Sequence, residues 1–279
     1  MFLIETIIEL QNKLNALKES GKIGLVPTMG ALHTGHISLV KQAVNENLIV
    51  VVSIFVNPTQ FNNKSDLEKY PRNLGADLKL LEETGCHIVF APTTQEIYPK
   101  PDTRKFNFGL LETEMEGKHR PGHFNGVAQV VSKLFDIVKP DKAYFGLKDF
   151  QQLAIIKNLV THLNLSVEII SCPIIREESG LAMSSRNELL TIEERKNAAV
   201  IFQTLFEAKK LSAQKSVKEL VDWITKTINK NPYLTVEYVE IVDDRWLQPV
   251  KNWDEKTGKV GCVAVFCGKI RLIDNVVFN

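Results

Sequence analysis

Between Leu48 and Val56 the chain reads Leu-Ile-Val-Val-Val-Ser-Ile-Phe-Val, an apolar and largely β-branched run without a charge. A strand exposed on one face alternates polar and apolar residues. A strand covered on both faces does not, so this run predicts a central strand of a parallel sheet. Parallel neighbours need long crossover connections, usually helices. The flanking sequence supplies them. Apolar residues at Ile7, Leu10, Leu14 and Leu17 give a helical period over Thr6 to Lys18, and Met1 to Leu10, carrying Glu5 and Glu9, reads as amphipathic helix. Strands are expected at Lys22 to Pro27, Leu48 to Val56, His87 to Ala91, Lys142 to Phe145 and Val167 to Ser171. Helices are expected from Gly35 to about Asn45, Asn73 to Thr84 with Gly85 past its end, Phe124 to Lys139, and Lys148 to Leu163. This alternation predicts an α/β fold, a Rossmann-like doubly wound parallel sheet.

The rhythm changes after Pro173. A capping box, Thr191-Ile-Glu-Glu194, opens a helix to about Leu211, and a second helix is expected from Ser216 to Lys230. Three β-rich runs follow, Leu234 to Val242, Lys259 to Cys267 and Lys269 to Val277, the last two joined tightly at Gly268. We therefore expect two domains, residues 1–175 and a smaller C-terminal α+β domain over 176–279 with a short antiparallel sheet. Residues 92–123 read as an irregular connection with one strand at Phe106 to Leu110. A connection this long inside a compact domain is usually functional or disordered.

The chemistry concentrates where the first strand ends, at Pro27-Thr28-Met29-Gly30-Ala31-Leu32-His33-Thr34-Gly35-His36. Pro27, Gly30 and Gly35 break the strand, and Thr34 can cap the following helix. In a parallel sheet this junction lies at the carboxyl edge, where ligands bind. Backbone N–H groups and the positive end of a helix favour phosphate there. His33 and His36, three apart, face the same way in a first helical turn and can donate to charge that develops during reaction. The competing reading, two histidines that merely satisfy a polar loop, suits a single histidine better than this pair.

Three other stretches share the sheet edge or the domain junction. Asn57-Pro58-Thr59-Gln60-Phe61 follows the second strand, and Gln60 carries both a donor and an acceptor for a small polar substrate. Gly146-Leu147-Lys148-Asp149-Phe150-Gln151-Gln152 follows the fourth strand; Gly146 allows close backbone approach and Lys148 offers a point charge for phosphate. Met183-Ser184-Ser185-Arg186 offers two hydroxyls and a guanidinium for phosphate, or is a polar linker with an N-cap serine. Asp77, after Tyr70-Pro71-Arg72, is a candidate Mg²⁺ ligand or a plain surface carboxylate. Arg120-Pro121-Gly122-His123 opens the long helix without a defined role.

Taken together, Pro-Thr-Met-Gly-Ala-Leu-His-x-Gly-His, Asn-Pro-Thr-Gln-Phe, Gly-x-Lys-Asp and Met-Ser-Ser-Arg resemble the pantoate–β-alanine ligase (pantothenate synthetase) family of the nucleotidyltransferase superfamily. The resemblance extends to Asp243 to Pro249 and Arg271-Leu272-Ile273-Asp274-Asn275; Gln129 departs from it, where Thr is expected. It implies ATP-dependent joining of (R)-pantoate to β-alanine through a pantoyl adenylate, with AMP and pyrophosphate released. It implies catalytic roles for His36, His33 and Lys148. It implies ATP contacts from Met29, Gly30, Ala31, Leu32, His33, Thr34, Gly35, His36, Gly146, Leu147, Lys148, Asp149, Ile175, Met183, Ser184, Ser185 and Arg186. Gln60, Gln152 and Asn57 are implied for pantoate and β-alanine, and Mg²⁺ is expected mainly on the ATP phosphates. A cytoplasmic homodimer, with its interface on the N-terminal domain, is implied as well.

Composition narrows the rivals. Net charge is +1 at pH 7, so no global basic field recruits nucleic acid, which disfavours a tRNA synthetase. No run of ~18 apolar residues suggests a membrane span. Cys86, Cys172, Cys262 and Cys267 lack zinc-ligand spacing and read as reduced core thiols. A dinucleotide- or CDP-alcohol-forming transferase would need no Gln60 and Gln152 pair, and a non-catalytic nucleotide binder would need no convergence of His33, His36 and Lys148.

Overall fold

The computed structural model describes residues 1–17 and 21–278; Lys18, the last residue of the expected first helix, lies outside them. The chain runs β1 (Phe2–Ile4), α1 (Ile7–Leu17), β2 (Ile23–Thr28), α2 (Thr34–Glu46), β3 (Ile49–Ile54), α3 (Lys64–Lys69), α4 (Leu74–Glu82), β4 (Ile88–Phe90), α5 (Thr94–Ile97), α6 (Met115–His119), α7 (His123–Val138), β5 (Lys142–Gly146), α8 (Phe150–His162) and β6 (Glu168–Cys172). It continues through α9 (Ile192–Leu211), α10 (Val217–Asn229), β7 (Leu234–Asp243), β8 (Lys259–Cys267) and β9 (Ile270–Phe278). Among the described residues no helix is long and apolar enough to cross a membrane.

Contacts divide the chain into two compact units. The first comprises Met1–Phe108, Arg120–Leu147 and Gln152–Pro173. Its six-stranded sheet is parallel throughout, in the order β1-β4-β3-β2-β5-β6. The chain leaves β2 towards β3 and β4, then returns to the other side of β2 with β5. The order therefore reverses between β2 and β5, and the carboxyl ends of those strands, Thr28 and Gly146, flank the switch point. The run that begins at Leu48 fulfils its prediction, with Ile49 to Ser53 fully buried in β3. One core of this unit gathers Val26, Leu39, Val40, Val50, Val52, Leu81, Val89 and Tyr144.

Two expectations fail here. Phe2–Ile4 is not the start of a helix but an edge strand, paired in parallel with β4. Phe2 N–H donates to the His87 carbonyl and Ala91 N–H to that of Ile4. Three residues are too few to show a period, so their state is set by the sheet beside them. No strand forms at Phe106 to Leu110; Gly109–Glu112 is a short 3₁₀ turn. Gln129, the departure from the family pattern, holds the loop before it. Its Nε2 donates to the carbonyls of Asp102 (3.0 Å) and Arg104 (2.8 Å).

The second unit comprises Gly109–His119, Lys148–Gln151 and Ile174–Asn279. Helices α9 and α10, both opened by capping boxes at Thr191 and Ser216, cover the antiparallel sheet β7-β8-β9. Its core gathers Ala198, Ile201, Leu205, Leu220, Ile224, Ile241, Val263 and Val265. Two short segments from earlier in the chain join it for identifiable reasons. Buried Glu116 receives a forked pair from Arg271 on β9 (2.6 and 2.9 Å) and the Tyr238 hydroxyl (2.9 Å). Burial and the Glu116 charge both press the Tyr238 phenol towards its protonated form, so it donates. Gln151 then accepts from Glu116 N–H (2.9 Å) and donates to the carbonyls of Leu111 and Glu114.

Candidate functional site

The turn after β2 is built by consecutive left-handed residues, Gly30 at φ +77° and Ala31 at φ +49°. For alanine that conformation costs roughly 1–2 kcal/mol, so something must hold it. Asp77, in the first turn of α4 and 3% exposed, does so. Its Oδ1 accepts from Leu32 N–H (2.7 Å) and its Oδ2 from Ala31 N–H (3.1 Å). Burial raises the carboxyl from its ordinary value, and the two backbone bonds pull it back. Gly30 closes the arrangement: a Cβ there would stand 2.9 Å from Asp77 Oδ2. Of the two readings, metal ligand or plain surface carboxylate, the surface one fails, because Asp77 is buried. Both oxygens are engaged on backbone, and among the described residues no cluster of three or more His, Cys, Asp or Glu could hold a metal.

A second correction concerns the cap of α2. The N-cap is His33, not Thr34. His33 Nδ1 accepts from Gly35 N–H (3.1 Å), and His36 Nδ1 accepts from His33 N–H (3.4 Å), a capping box made of two imidazoles. The ring centroids are 4.1 Å apart. An Nδ1 that accepts carries no proton, so each neutral ring holds its proton on Nε2. Gly30 N–H donates to Thr28 Oγ1 (3.2 Å). The N–H groups of Gly30 to His33 and of Gly35 are thus used inside the turn. Both imidazoles stand at the positive end of a thirteen-residue helix, a place that favours an anion.

Beside it, Asn57 caps the 3₁₀ turn Pro58–Gln60 after β3. Asn57 is 1% exposed and its carboxamide is saturated. Nδ2 donates to Gln60 Oε1 (3.1 Å) and the Gly126 carbonyl (3.0 Å); Oδ1 accepts from Tyr98 (2.9 Å) and Thr59 Oγ1 (3.1 Å). Burial keeps the Tyr98 phenol above its ordinary value, so it stays a donor. Asn57 therefore orients Gln60. Gln60 Nε2 lies 3.2 Å from the Met29 sulfur, so the turns after β3 and β2 meet side by side. His123, undefined from sequence, is 5% exposed, with Nδ1 2.9 Å from the Gln60 carbonyl. Gly126 lets α7 approach, since a Cβ there would run into the Thr59 carbonyl and the Gln60 Cα. No periodicity signals these supports; they follow only from the packing of α7 against the turn. Gly146 and Leu147 close β5 and follow it, and Gln152 lies half-buried in the first turn of α8.

The second unit carries the other candidates. Ile174 to Arg186 folds back on itself: Arg176 and Ala182 form an antiparallel bridge, and Met183 N–H donates to the Ile175 carbonyl (3.0 Å). Ile175 and Met183, eight positions apart, are thereby neighbours. Ser184 caps the 3₁₀ turn Ser185–Leu189, its Oγ accepting from Arg186 N–H (3.3 Å). Arg176 forks onto Asp274 of β9 (2.7 and 3.0 Å). Asn275, the next residue, donates to the Lys148 carbonyl (3.0 Å). The Lys148 ammonium stands 3.2 Å from an Asp149 oxygen. So β9 holds both the hairpin and the Lys148 segment. No thiol takes part: the four cysteines are free and buried, and burial pushes Cys86, Cys172 and Cys267 up to about 11.

Known proteins agree with this geometry over the whole chain. The family model for pantoate-beta-alanine ligase matches residues 2–277. The chain is 57% identical to a pantothenate synthetase of Bacteroides fragilis over 280 residues, covering 100% of this chain and 99% of the relative. It is 56% identical to that of Bacteroides thetaiotaomicron, with the same coverage. Among solved structures, a pantothenate synthetase from Thermus thermophilus matches with a TM-score of 0.93 at 42% identity, covering 99% of each chain. A pantoate-beta-alanine ligase from Francisella tularensis, complexed with β-γ ATP and β-alanine, matches with a TM-score of 0.84 at 38% identity, covering 99% of this chain and 97% of that one. The paired imidazole cap, the switch-point turns and these full-length matches lead to one conclusion: the chain belongs to the pantoate-β-alanine ligase family.

Proposed function

We propose that this chain condenses (R)-pantoate with β-alanine at the expense of ATP, by way of a pantoyl adenylate. The observation that carries the reading is the double imidazole cap of α2, which fixes both Nε2 protons of His33 and His36 at a helix N-terminus. A carboxylate is a poor acyl donor because oxide is a poor leaving group. In the first step a pantoate carboxylate oxygen bonds to the α-phosphorus of ATP. The bond from that phosphorus to the bridging oxygen breaks, and pyrophosphate departs with the electron pair. Charge grows on the phosphoryl oxygens, where the two Nε2–H groups and the Lys148 ammonium donate. In the second step the β-alanine amine bonds to the acyl carbon, AMP leaves with its oxygen, and the amine proton is released.

Met29 to His36, Gly146 to Asp149, Ile175 and Met183 to Arg186 are assigned to ATP, and Gln60 and Gln152 to pantoate. What supports the Gln60 assignment is its fixed carboxamide; the Ile175 assignment gains from its pairing with Met183. Mg²⁺ would enter on the triphosphate, since Asp77 is engaged elsewhere and the described residues form no cage for it. We read residues 176–279 as a lid over 1–175, with the 176–186 hairpin delivering Ser184, Ser185 and Arg186 to the phosphates. A cytoplasmic homodimer is our reading from the family resemblance; four free buried thiols suit a reducing compartment. One assay tests the function: protein, ATP and Mg²⁺ are mixed with pantoate or other acids, with and without β-alanine. Sustained AMP release is expected only with pantoate and β-alanine together, and AMP release independent of either would overturn the reading.

A further inference from the structure

We infer that Asp77 is a positioning residue for the nucleotide turn, an internal anion that holds Gly30 and Ala31 left-handed and so aims the two imidazoles. The inference deepens the reading above and rests on it. Three observations carry it. Asp77 lies on α4, 45 residues beyond Leu32, yet both its oxygens end on the turn's backbone. Ala31 adopts a conformation that L-residues avoid, and its own N–H is one of the two bonds. The contact is sterically closed: a side chain at Gly30 would meet Asp77 Oδ2 at 2.9 Å and Ile54 Cγ2 at 3.1 Å.

Ala31 and Leu32 lead directly into His33, the N-cap. If the turn relaxes to a right-handed path, the His33 backbone rotates, and the mutual cap that fixes both Nε2 protons is lost. A carboxylate suits this place because it offers an acceptor at each oxygen, where a carboxamide turns a donor towards one of the two N–H groups. Asp77→Asn should therefore raise KM for ATP by roughly tenfold, the size expected for one buried donor left unpaired, and leave KM for pantoate within about twofold. The Mg²⁺ dependence at saturating ATP should not move, which separates positioning from metal ligation. Ala31→Gly added to Asp77→Asn should restore part of the ATP affinity, because glycine adopts the left-handed conformation without help.

The test combines ATP titration of the wild-type enzyme, His36→Ala, Asp77→Asn and Asp77→Asn/Ala31→Gly with amide exchange of the unliganded wild-type protein. Slow exchange at Ala31 and Leu32 without ATP, weaker ATP binding in Asp77→Asn and recovery in the double variant are expected. Rapid exchange at both amides would overturn the inference even if the variants do not fold. An effect of His36→Ala on adenylation with unchanged ATP binding in Asp77→Asn would sink the inference and leave the functional reading intact. No effect of either variant would remove the turn from nucleotide binding altogether, and a shifted Mg²⁺ requirement in Asp77→Asn would return Asp77 to the metal.

Discussion

The turn after β2 and the Lys148–hairpin region are held in opposite ways. In the N-terminal unit the backbone donors of Gly30 to His33 are satisfied nearby: Asp77 takes two, Thr28 takes one, and the two histidines cap each other. The Nδ1 atoms of both imidazoles are held by backbone N–H groups before any substrate binds. In the C-terminal unit the backbone is anchored instead by β9, through Asp274 on Arg176 and Asn275 on the Lys148 carbonyl. There the Lys148 ammonium rests on its sequence neighbour Asp149, an ion pair between partly exposed groups worth little. One region is held by bonds within its own turn, and the other is anchored at its base by β9. Under the function proposed above, the first region would supply charge stabilisation and the second would contact phosphate.

The sharpest break is at the turn after β2. His36→Ala should lower the rate of pyrophosphate release by roughly 10²- to 10³-fold. It should also lose a cap contact worth about 1 kcal/mol, visible as a small drop in melting temperature. A near-normal rate in the folded variant would remove His36 from the chemistry. Next in size, Lys148→Ala should cost roughly 10- to 100-fold in kcat/KM for ATP, as expected for a lost charge-assisted bond. Lys148→Arg should not restore it fully, because a planar guanidinium cannot occupy the same point; wild-type turnover in that variant would contradict the assignment. Asn275→Ala should be milder, about fivefold in KM for ATP, since it frees the Lys148 backbone without removing its charge. If it matches Lys148→Ala, the anchor and the cation are not separable as described. The smallest signal is in amide exchange: ATP with Mg²⁺ should slow residues 176–190 and barely change 30–33, whose N–H groups are already bonded within the turn. Slowing confined to 30–33 would reverse the comparison.

Much of this was legible in the sequence because burial and chain direction leave periodic traces. The β-branched run ending at Val56, the apolar face of α7 and the capping boxes at Thr191 and Ser216 each carry their own local signal. The three residues of β1 do not, since only pairing with β4 makes them a strand. The turn's histidines were visible as a pair, but their exchange of cap bonds was not, because histidine is an uncommon cap beside a threonine. Asp77, Asn57 and His123 all act on backbone or side chains brought close by packing rather than by sequence, so Asp77 reads from sequence as a metal or surface residue, Asn57 as a substrate contact, and His123 has no defined role. The same holds for Gly109–His119: nothing local to Glu116 announces that its partner, Arg271, lies 155 residues away.

The most direct test of carboxylate activation is a single mixing experiment with pantoate, ATP and Mg²⁺ but no β-alanine. A rapid release of about one pyrophosphate per site is expected, followed by a slow phase, with acid-labile pantoyl adenylate recoverable from the protein. Adding β-alanine should then restart turnover and release AMP together with the amide. Pyrophosphate that appears only when β-alanine is present, with no adenylate to be trapped, would contradict the two-step reaction proposed for His33, His36 and Lys148.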